Sequence, residues 1–235
     1  MMGLMRVWYP FWMRVGRVVM PLFGRIEVIG RENVPATGSL VITPNHQSNA
    51  DPPFLAVMFK RPLWFMAKRE LFRYSIAATL LRLWHVQPIN RDGMDVEGLR
   101  WAMETLRRGR VLVVFPEGTR SPGGLMRGTD GATYIALRSG ARVLPVAITG
   151  TEYLKGLLGF VRIAFPFRRI RIVIGEPYTF PSVEGRLSKE VLGSLTTVMM
   201  RHIAALLPPE YRGAYGADTL REQSTAGGGT EGRES

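Results

Sequence analysis

Short runs of β-branched and aliphatic residues alternate along this chain with longer segments whose apolar positions recur at helical spacing. Arg25 to Ile29 and Leu40 to Thr43 are predicted strands, separated by a turn containing Gly, Pro and Asn. A helix is expected to begin near Asp51. The rhythm then repeats, with strand Leu63 to Ala67, helix Glu70 to Leu83, strand Val86 to Ile89, helix Met94 to Arg108 and strand Val111 to Phe115. Ala132 to Ser139 reads as a helix stopped at Gly140, Val143 to Thr149 as a buried strand and Ile170 to Ile174 as another. Within Lys189 to Leu207 one apolar face is built from Val191, Leu192, Leu195, Val198, Met199, Ile203 and Leu206. Alternation of this kind implies mostly parallel pairing, and therefore an α/β domain with a central, mostly parallel mixed sheet flanked by helices.

The two ends of the chain break the pattern. Val7 to Phe23 is the most apolar stretch, but Pro10, Arg14 and Arg17 interrupt it, so a membrane-spanning helix is not expected. On a helical projection Arg6, Arg14 and Arg17 share one face, with Trp8, Phe11, Trp12, Val15, Val18, Val19 and Leu22 opposite. Residues 1–24 are thus expected to form an N-terminal amphipathic helix lying in the headgroup layer of a membrane, its arginines near lipid phosphates. The alternative is a helix packed on the domain. The arginines interrupt the apolar region where those of a signal peptide would precede it. Residues 25–212 are assigned to the folded domain. From Gly213 the chain turns polar and Gly-rich, which predicts a disordered tail over 213–235.

Composition narrows the chemistry. A length of 235 residues with 46% hydrophobic content makes one large domain the default. Cysteine is absent, which excludes disulfides, thiolate metal sites and a cysteine nucleophile, and is compatible with the cytosol. A formal charge of +12 favours anionic partners: nucleic acid, a membrane surface or phosphorylated substrates. The basic residues are scattered, without a stacking platform of aromatics, so nucleic acid is not expected.

His46 follows a predicted strand, and Asp51 stands five residues later at the apparent start of a helix. If the intervening loop folds back, the Asp51 carboxylate accepts a hydrogen bond from one imidazole nitrogen and leaves the other as a base. Asp51 followed by Pro52 also has the form of a helix N-cap with proline at the first helical position, so capping alone accounts for the aspartate. A second segment, Phe115-Pro116-Glu117-Gly118-Thr119-Arg120-Ser121, leaves a buried-looking strand for a loop. Strand ends of α/β sheets are where ligands bind, and an arginine there grips phosphate with forked hydrogen bonds. Gly118 permits the turn, and Glu117 is expected to orient Arg120 or contact a substrate hydroxyl; the alternative for both is a solvated ion pair on a surface turn.

Asn45-His46 through Asp51, together with Phe115 through Ser121, resembles the glycerolipid acyltransferase family, particularly the 1-acylglycerol-3-phosphate acyltransferases. Ala67-Lys68-Arg69-Glu70-Leu71 resembles the family's lysine-containing block, Ile89-Asn90-Arg91 its arginine block, and Val143 to Ile148 its apolar block centred on proline. The family usually carries glycine about where this chain has His85, a difference that bears on local loop geometry; His85 itself reads as a structural residue at a strand edge.

The resemblance implies a catalytic pair, His46 and Asp51, with Lys68, Arg91, Glu117, Gly118, Thr119 and Arg120 binding substrate. It implies transfer of a fatty acyl group from a thioester to the free hydroxyl of 1-acylglycerol 3-phosphate, giving phosphatidic acid. No cofactor and no metal are implied. The partners expected are a lysophospholipid acceptor, acyl-CoA or acyl-acyl carrier protein as donor, and a membrane surface, with the protein peripheral or monotopic on the cytoplasmic face. Direct transfer is expected, since no cysteine and no Gly-x-Ser-x-Gly elbow is present. Transfer to glycerol 3-phosphate or another lysolipid, and a non-enzymatic basic membrane-binding protein, are the competing assignments.

Overall fold

A computed structural model describes residues 2–20, 25–90, 95–152, 169–181 and 187–216. Its strands are β1 (Arg25–Ile29), β2 (Leu40–Pro44), β3 (Leu63–Lys68), β4 (Val86–Ile89), β5 (Val111–Val113), β6 (Arg142–Thr149) and β7 (Arg169–Ile174). They form one sheet in the order β1-β7-β6-β2-β5-β3-β4. All pairings are parallel except that of β6 with β7. The result is the mostly parallel mixed sheet that the alternation of segments predicts.

Every residue of β2 is buried, because both faces of the sheet are covered. On one face Leu40, Ile42, Leu63 and Phe65 meet Tyr9 and Met13 of α1 (Met2–Val19) and Leu55 and Val57 of α2 (Asp51–Met58). On the other, Val41, Leu112 and Val143 meet Ala102 and Leu106 of α4 (Val96–Arg107), Ala132 and Ile135 of α5 (Asp130–Ser139) and Met199 of α6 (Lys189–Leu206). Alternate residues along one strand therefore serve two cores. Helix α3 (Ser75–Leu83) precedes β4.

Three elements depart from the pattern. The helix expected from Glu70 is split, since Arg69–Phe72 is a short 3-10 turn and Tyr74, at φ −96 and ψ 130, is extended before α3 begins. Helix α6 is rolled relative to its apolar stripe. Val191 and Val198 are exposed while Thr196 is buried, its hydroxyl 2.8 Å from Asp130 Oδ1 and 2.9 Å from Leu192 O. A satisfied hydroxyl costs little to bury, so neighbouring shape outweighs the hydrophobic stripe there. Gly213–Tyr215 forms a 3-10 turn with Tyr215 buried against Leu125 and Met200, and so belongs to the domain. Residues 217–235 of the expected tail lie outside the described residues.

Helix α1 docks on the domain through a face other than the one its charge pattern suggests. Tyr9 and Met13 are buried, and a Cβ on Gly16 would lie 2.5 Å from Val57 Cγ2, which sets how closely α1 approaches α2. Arg17 donates from Nε to Val57 O at 3.2 Å and from Nη2 to Phe59 O at 3.4 Å, satisfying carbonyls at the end of α2. Phe11 and Val18 stay outside, at 54% and 76% exposure. Among the described residues no helix is long and apolar enough to cross a membrane.

His85 is the one described non-glycine residue with positive φ, at 61°. This is a conformation that glycine adopts freely and that costs an L-residue about 1–2 kcal/mol. The imidazole offsets part of that cost by stacking on Trp64 (4.5 Å between centroids, 6° between planes) and on Tyr9 (4.7 Å, 18°). The histidine thus occupies a left-handed turn where the resembling family places glycine. His85→Ala, which keeps the strain and loses the stacking, is expected to unfold more easily than His85→Gly by about 1 kcal/mol in denaturant melts.

Candidate active site

At the carboxyl end of β2 the chain leaves the sheet through Asn45. Its side chain imitates one more rung of the ladder, with Nδ2 donating to Ile148 O at 2.9 Å and Oδ1 accepting from Ile148 N at 2.7 Å. His46 to Ala50 then form a loop, and Asp51 opens α2 with Pro52 behind it. The N-cap is Ala50, without a side-chain cap, and the Asp51 carboxylate turns back on the loop. Capping therefore does not account for Asp51.

That carboxylate is wholly buried. Its Oδ2 accepts from Gln47 N and Ser48 N, each at 2.8 Å, and lies 2.8 Å from His46 Nδ1. Oδ1 accepts from the buried Thr151 hydroxyl at 2.5 Å. With Nδ1–H donated to Asp51, the lone pair of His46 resides on Nε2. The ring stacks on Phe115 at 4.0 Å and borders a cavity of about 600 Å³.

The second loop grips the histidine's backbone. His46 N donates to Glu117 Oε1 at 2.7 Å, and His46 O accepts from Ser121 N at 2.6 Å. Glu117 Oε2 accepts from Met126 N at 2.9 Å. Gly118, at φ 68, makes the turn between them. Glu117 is buried and both its oxygens are engaged, so it braces His46 and is not placed as a substrate contact. Burial, with a contribution from Asp51, pushes its carboxyl up to about 7, against the opposing pull of the two N–H donors.

The cavity runs along apolar side chains, among them Phe65, Met66, Leu80, Trp84 and Val86. His46, Lys68, Thr119 and Arg120 border the same space. Lys68 and Arg120 are exposed, one at the end of β3 and one on the loop after β5. Four expected site residues thus converge on one groove, Glu117 stands behind it, and Arg91 lies outside the described residues.

The model of the family described as Acyltransferase matches residues 25–149, over half the chain and inclusive of every group just described except Thr151. The chain belongs to the acyltransferase family. The 1-acyl-sn-glycerol-3-phosphate acyltransferase of Bacillus subtilis (strain 168) is 28% identical over 84% of this chain and 96% of its own length. The enzyme of that name from Pseudomonas aeruginosa (strain PAO1) is 33% identical, over 62% of this chain and 57% of its own length. Against the Borreliella burgdorferi relative of the same name, 32% identical, the match covers 54% of this chain and about half of that protein, 52%. The crystal structure of the 1-acyl-sn-glycerophosphate (LPA) acyltransferase PlsC from Thermotoga maritima superposes with a TM-score of 0.65 at 30% identity, covering 84% of this chain and 79% of that one.

In this acyltransferase Thr151 joins the site through Asp51, although sequence patterns do not single it out. It follows Gly150, whose φ of 88° and whose missing Cβ, which would lie 2.2 Å from Arg169 O, allow the chain to turn sharply after β6. Because β6 lies beside β2, that turn brings Thr151 onto Asp51. Thr151→Val is expected to lower kcat by about tenfold to a hundredfold with little change in KM, and Thr151→Ser to restore most of it, in steady-state assays. A loss carried by KM would remove Thr151 from the positioning role.

Glu117 gives a pH dependence. Its folded-state pKa of about 7 exceeds the ordinary 4.5, so the folded acyltransferase binds the extra proton and this contribution to stability, full below pH 4.5, is lost as pH rises through about 7. Denaturation midpoints taken from pH 4.5 to 8 are expected to fall less steeply in Glu117→Gln than in the wild type.

Proposed function

We propose that the protein transfers a fatty acyl group from an acyl thioester to the free hydroxyl of 1-acylglycerol 3-phosphate, giving phosphatidic acid. The observation that carries this is the His46–Asp51 pair on an apolar groove with Lys68 and Arg120 on its border. A phosphate held by those two cations sets the acceptor's polar end beside His46, and the apolar length suits acyl chains. The relatives' shared name supports the choice of acceptor over glycerol 3-phosphate.

On this reading His46 Nε2 takes the proton of the acceptor hydroxyl as its oxygen attacks the thioester carbonyl. The tetrahedral intermediate collapses, the C–S bond breaks and the thiolate leaves, a leaving group good enough to need no strong acid. Asp51 holds the ring and stabilises the imidazolium. The proton passes from His46 to solvent or to the departing thiolate, giving the free thiol. Either coenzyme A or acyl carrier protein supplies the thioester.

The groove's surroundings favour a membrane surface as the place of reaction. Leu71, Tyr74, Ile76 and Leu80 are exposed on the α3 segment, and Phe11 and Val18 on α1, which contacts α3. Leu71 and Leu80 also border the groove. An exposed apolar patch at the mouth of a lipid-sized groove marks a membrane-facing surface, here joined by exposed Arg69, Arg73 and Arg82. The patch supports a peripheral position on a leaflet that supplies the acceptor, and we assign that leaflet to the cytoplasmic side.

Incubation with labelled acyl-CoA or acyl-acyl carrier protein and 1-acylglycerol 3-phosphate is expected to yield labelled phosphatidic acid. His46→Ala should lower the rate by about two to four orders of magnitude while melting like the wild type. Arg120→Ala should raise the KM of the acceptor more than that of the donor. Undiminished turnover in folded His46→Ala would remove the base; a change in the donor KM alone would remove the phosphate contact.

A further inference from the structure

The larger of the two main cavities, about 750 Å³, is not the catalytic groove. It lies below the amino end of β3, bounded by α1, the turn between α2 and β3, the turn at His85 and the end of α4. His46 and Lys68 stand past the opposite, carboxyl ends of the strands. With β3 rising about 3.3 Å per residue over its length, the cations of the two sites lie at opposite ends of the strand, while the apolar linings come close where Trp84 and Val86 flank His85.

Five cations border this cavity: Arg14, Arg17, Lys60, Arg108 and Arg110. Arg108 pairs with Glu104 at 2.6 Å, and Arg17 is spent in part on the carbonyls of α2. Among the described residues no carboxylate lies within ion-pair distance of Arg14, Lys60 or Arg110. The Arg110 guanidinium lies 4.8 Å over the ring of Trp64, at the end of the stack that continues through His85 to Tyr9. Burial, and then the neighbouring charge of Arg108, press its pKa down. Glu104, held by Arg107 and Arg108, offsets only part of this charge, and an anion placed beside Arg14, Lys60 and Arg110 relieves the rest.

We propose that this cavity binds the phosphate of an anionic phospholipid as a second lipid site, separate from the catalytic groove. The walls choose a lipid over a free anion: Pro10, Met13, Phe59 and Pro62 border the same space, so the ligand that fills it is charged at one end and apolar beyond. Arg14 lies on α1 itself, within the same turns as the exposed Phe11 and Val18, so a lipid beside that helix reaches the cavity with its phosphate. Occupancy would fasten α1 to the α2–β3 turn and tie the docking of the helix to the acidity of the lipid around it.

The full chain is titrated with dihexanoyl phosphatidylglycerol below its micelle concentration, following Trp fluorescence and equilibrium dialysis. Dihexanoyl phosphatidylcholine and inorganic phosphate serve as comparison ligands. The anionic lipid is expected to bind more tightly than both, and more weakly as salt is raised. Arg14→Gln/Lys60→Gln, two exposed positions whose loss leaves the core intact, should weaken it about tenfold. Arg110→Gln should do the same at an unchanged melting temperature. Arg120→Gln, which alters the catalytic groove, should leave the binding in place. The proposal is overturned if the double variant binds as well as the wild type, if only Arg120→Gln abolishes binding, or if inorganic phosphate binds as tightly as the lipid. Since the ligand is monomeric and no acyl transfer is read, failure here would leave the catalytic assignment and the membrane reading of α1 untouched.

Discussion

The site is organised by one carboxylate that water never reaches. Asp51 is fully buried, and the fold answers the cost with two backbone N–H groups, an imidazole and a hydroxyl arranged around its two oxygens. A buried charge tolerates few arrangements, since removing any one donor leaves part of the desolvation cost uncompensated. That intolerance fixes the loop from His46 to Ser48. It also ties residues five and a hundred positions apart into one unit, because His46 precedes Asp51 on the same loop while Thr151 arrives from β6.

The parallel sheet makes such a gathering possible. β2, β5 and β6 run side by side in one direction, so the loops that follow them emerge at the same edge. The loop after β2 carries His46, that after β5 carries Glu117 and Arg120, and that after β6 carries Thr151. Each contributes by a different bond: Glu117 and Ser121 hold the histidine's peptide from both sides, Phe115 backs its ring, and Asn45 knits its root to β6. The raised pKa of Glu117 follows first from burial in a place poor in water, with the nearby Asp51 carboxyl adding a smaller push.

Much of this was legible in the sequence because the signals were local. The continuous apolar run from Leu40 to Thr43 announces a strand covered on both faces, and Gly140 ends α5 where the chain says it should, at φ 62. His46, Asp51 and Arg120 stand in loops after predicted strands, while Lys68 is singled out only by the resemblance of its block to the family's. What escaped depended on packing. The role of Thr151 needs the adjacency of β6 and β2, which periodicity does not encode. The roll of α6 that buries Thr196 needs Asp130 of another helix, and the buried face of α1 lies where Gly16 meets Val57 and Arg17 reaches the carbonyls of α2. For Glu117 the residue was identified but its direction was not: a carboxylate beside an arginine in sequence turns inward to two backbone donors.

The surroundings of the histidine also bear on whether the proposed transfer passes through an acyl-enzyme. Ser48 is two residues from His46, but it is buried and its Oγ accepts from Ala50 N at 3.3 Å, so it sits in the loop's own bonding and off the groove. The Ser121 hydroxyl donates to Gly124 O, and that of Thr151 to Asp51. A nucleophile must reach the substrate carbonyl and pass its proton to Nε2, while Thr151 lies on the Asp51 side of the ring. None of these three hydroxyls is turned to the groove edge of His46, and that edge is open to a hydroxyl brought by the substrate. A base so placed, with cations to hold a phosphate nearby, is what one-step transfer requires: the acceptor oxygen itself closes the bond to the acyl carbon.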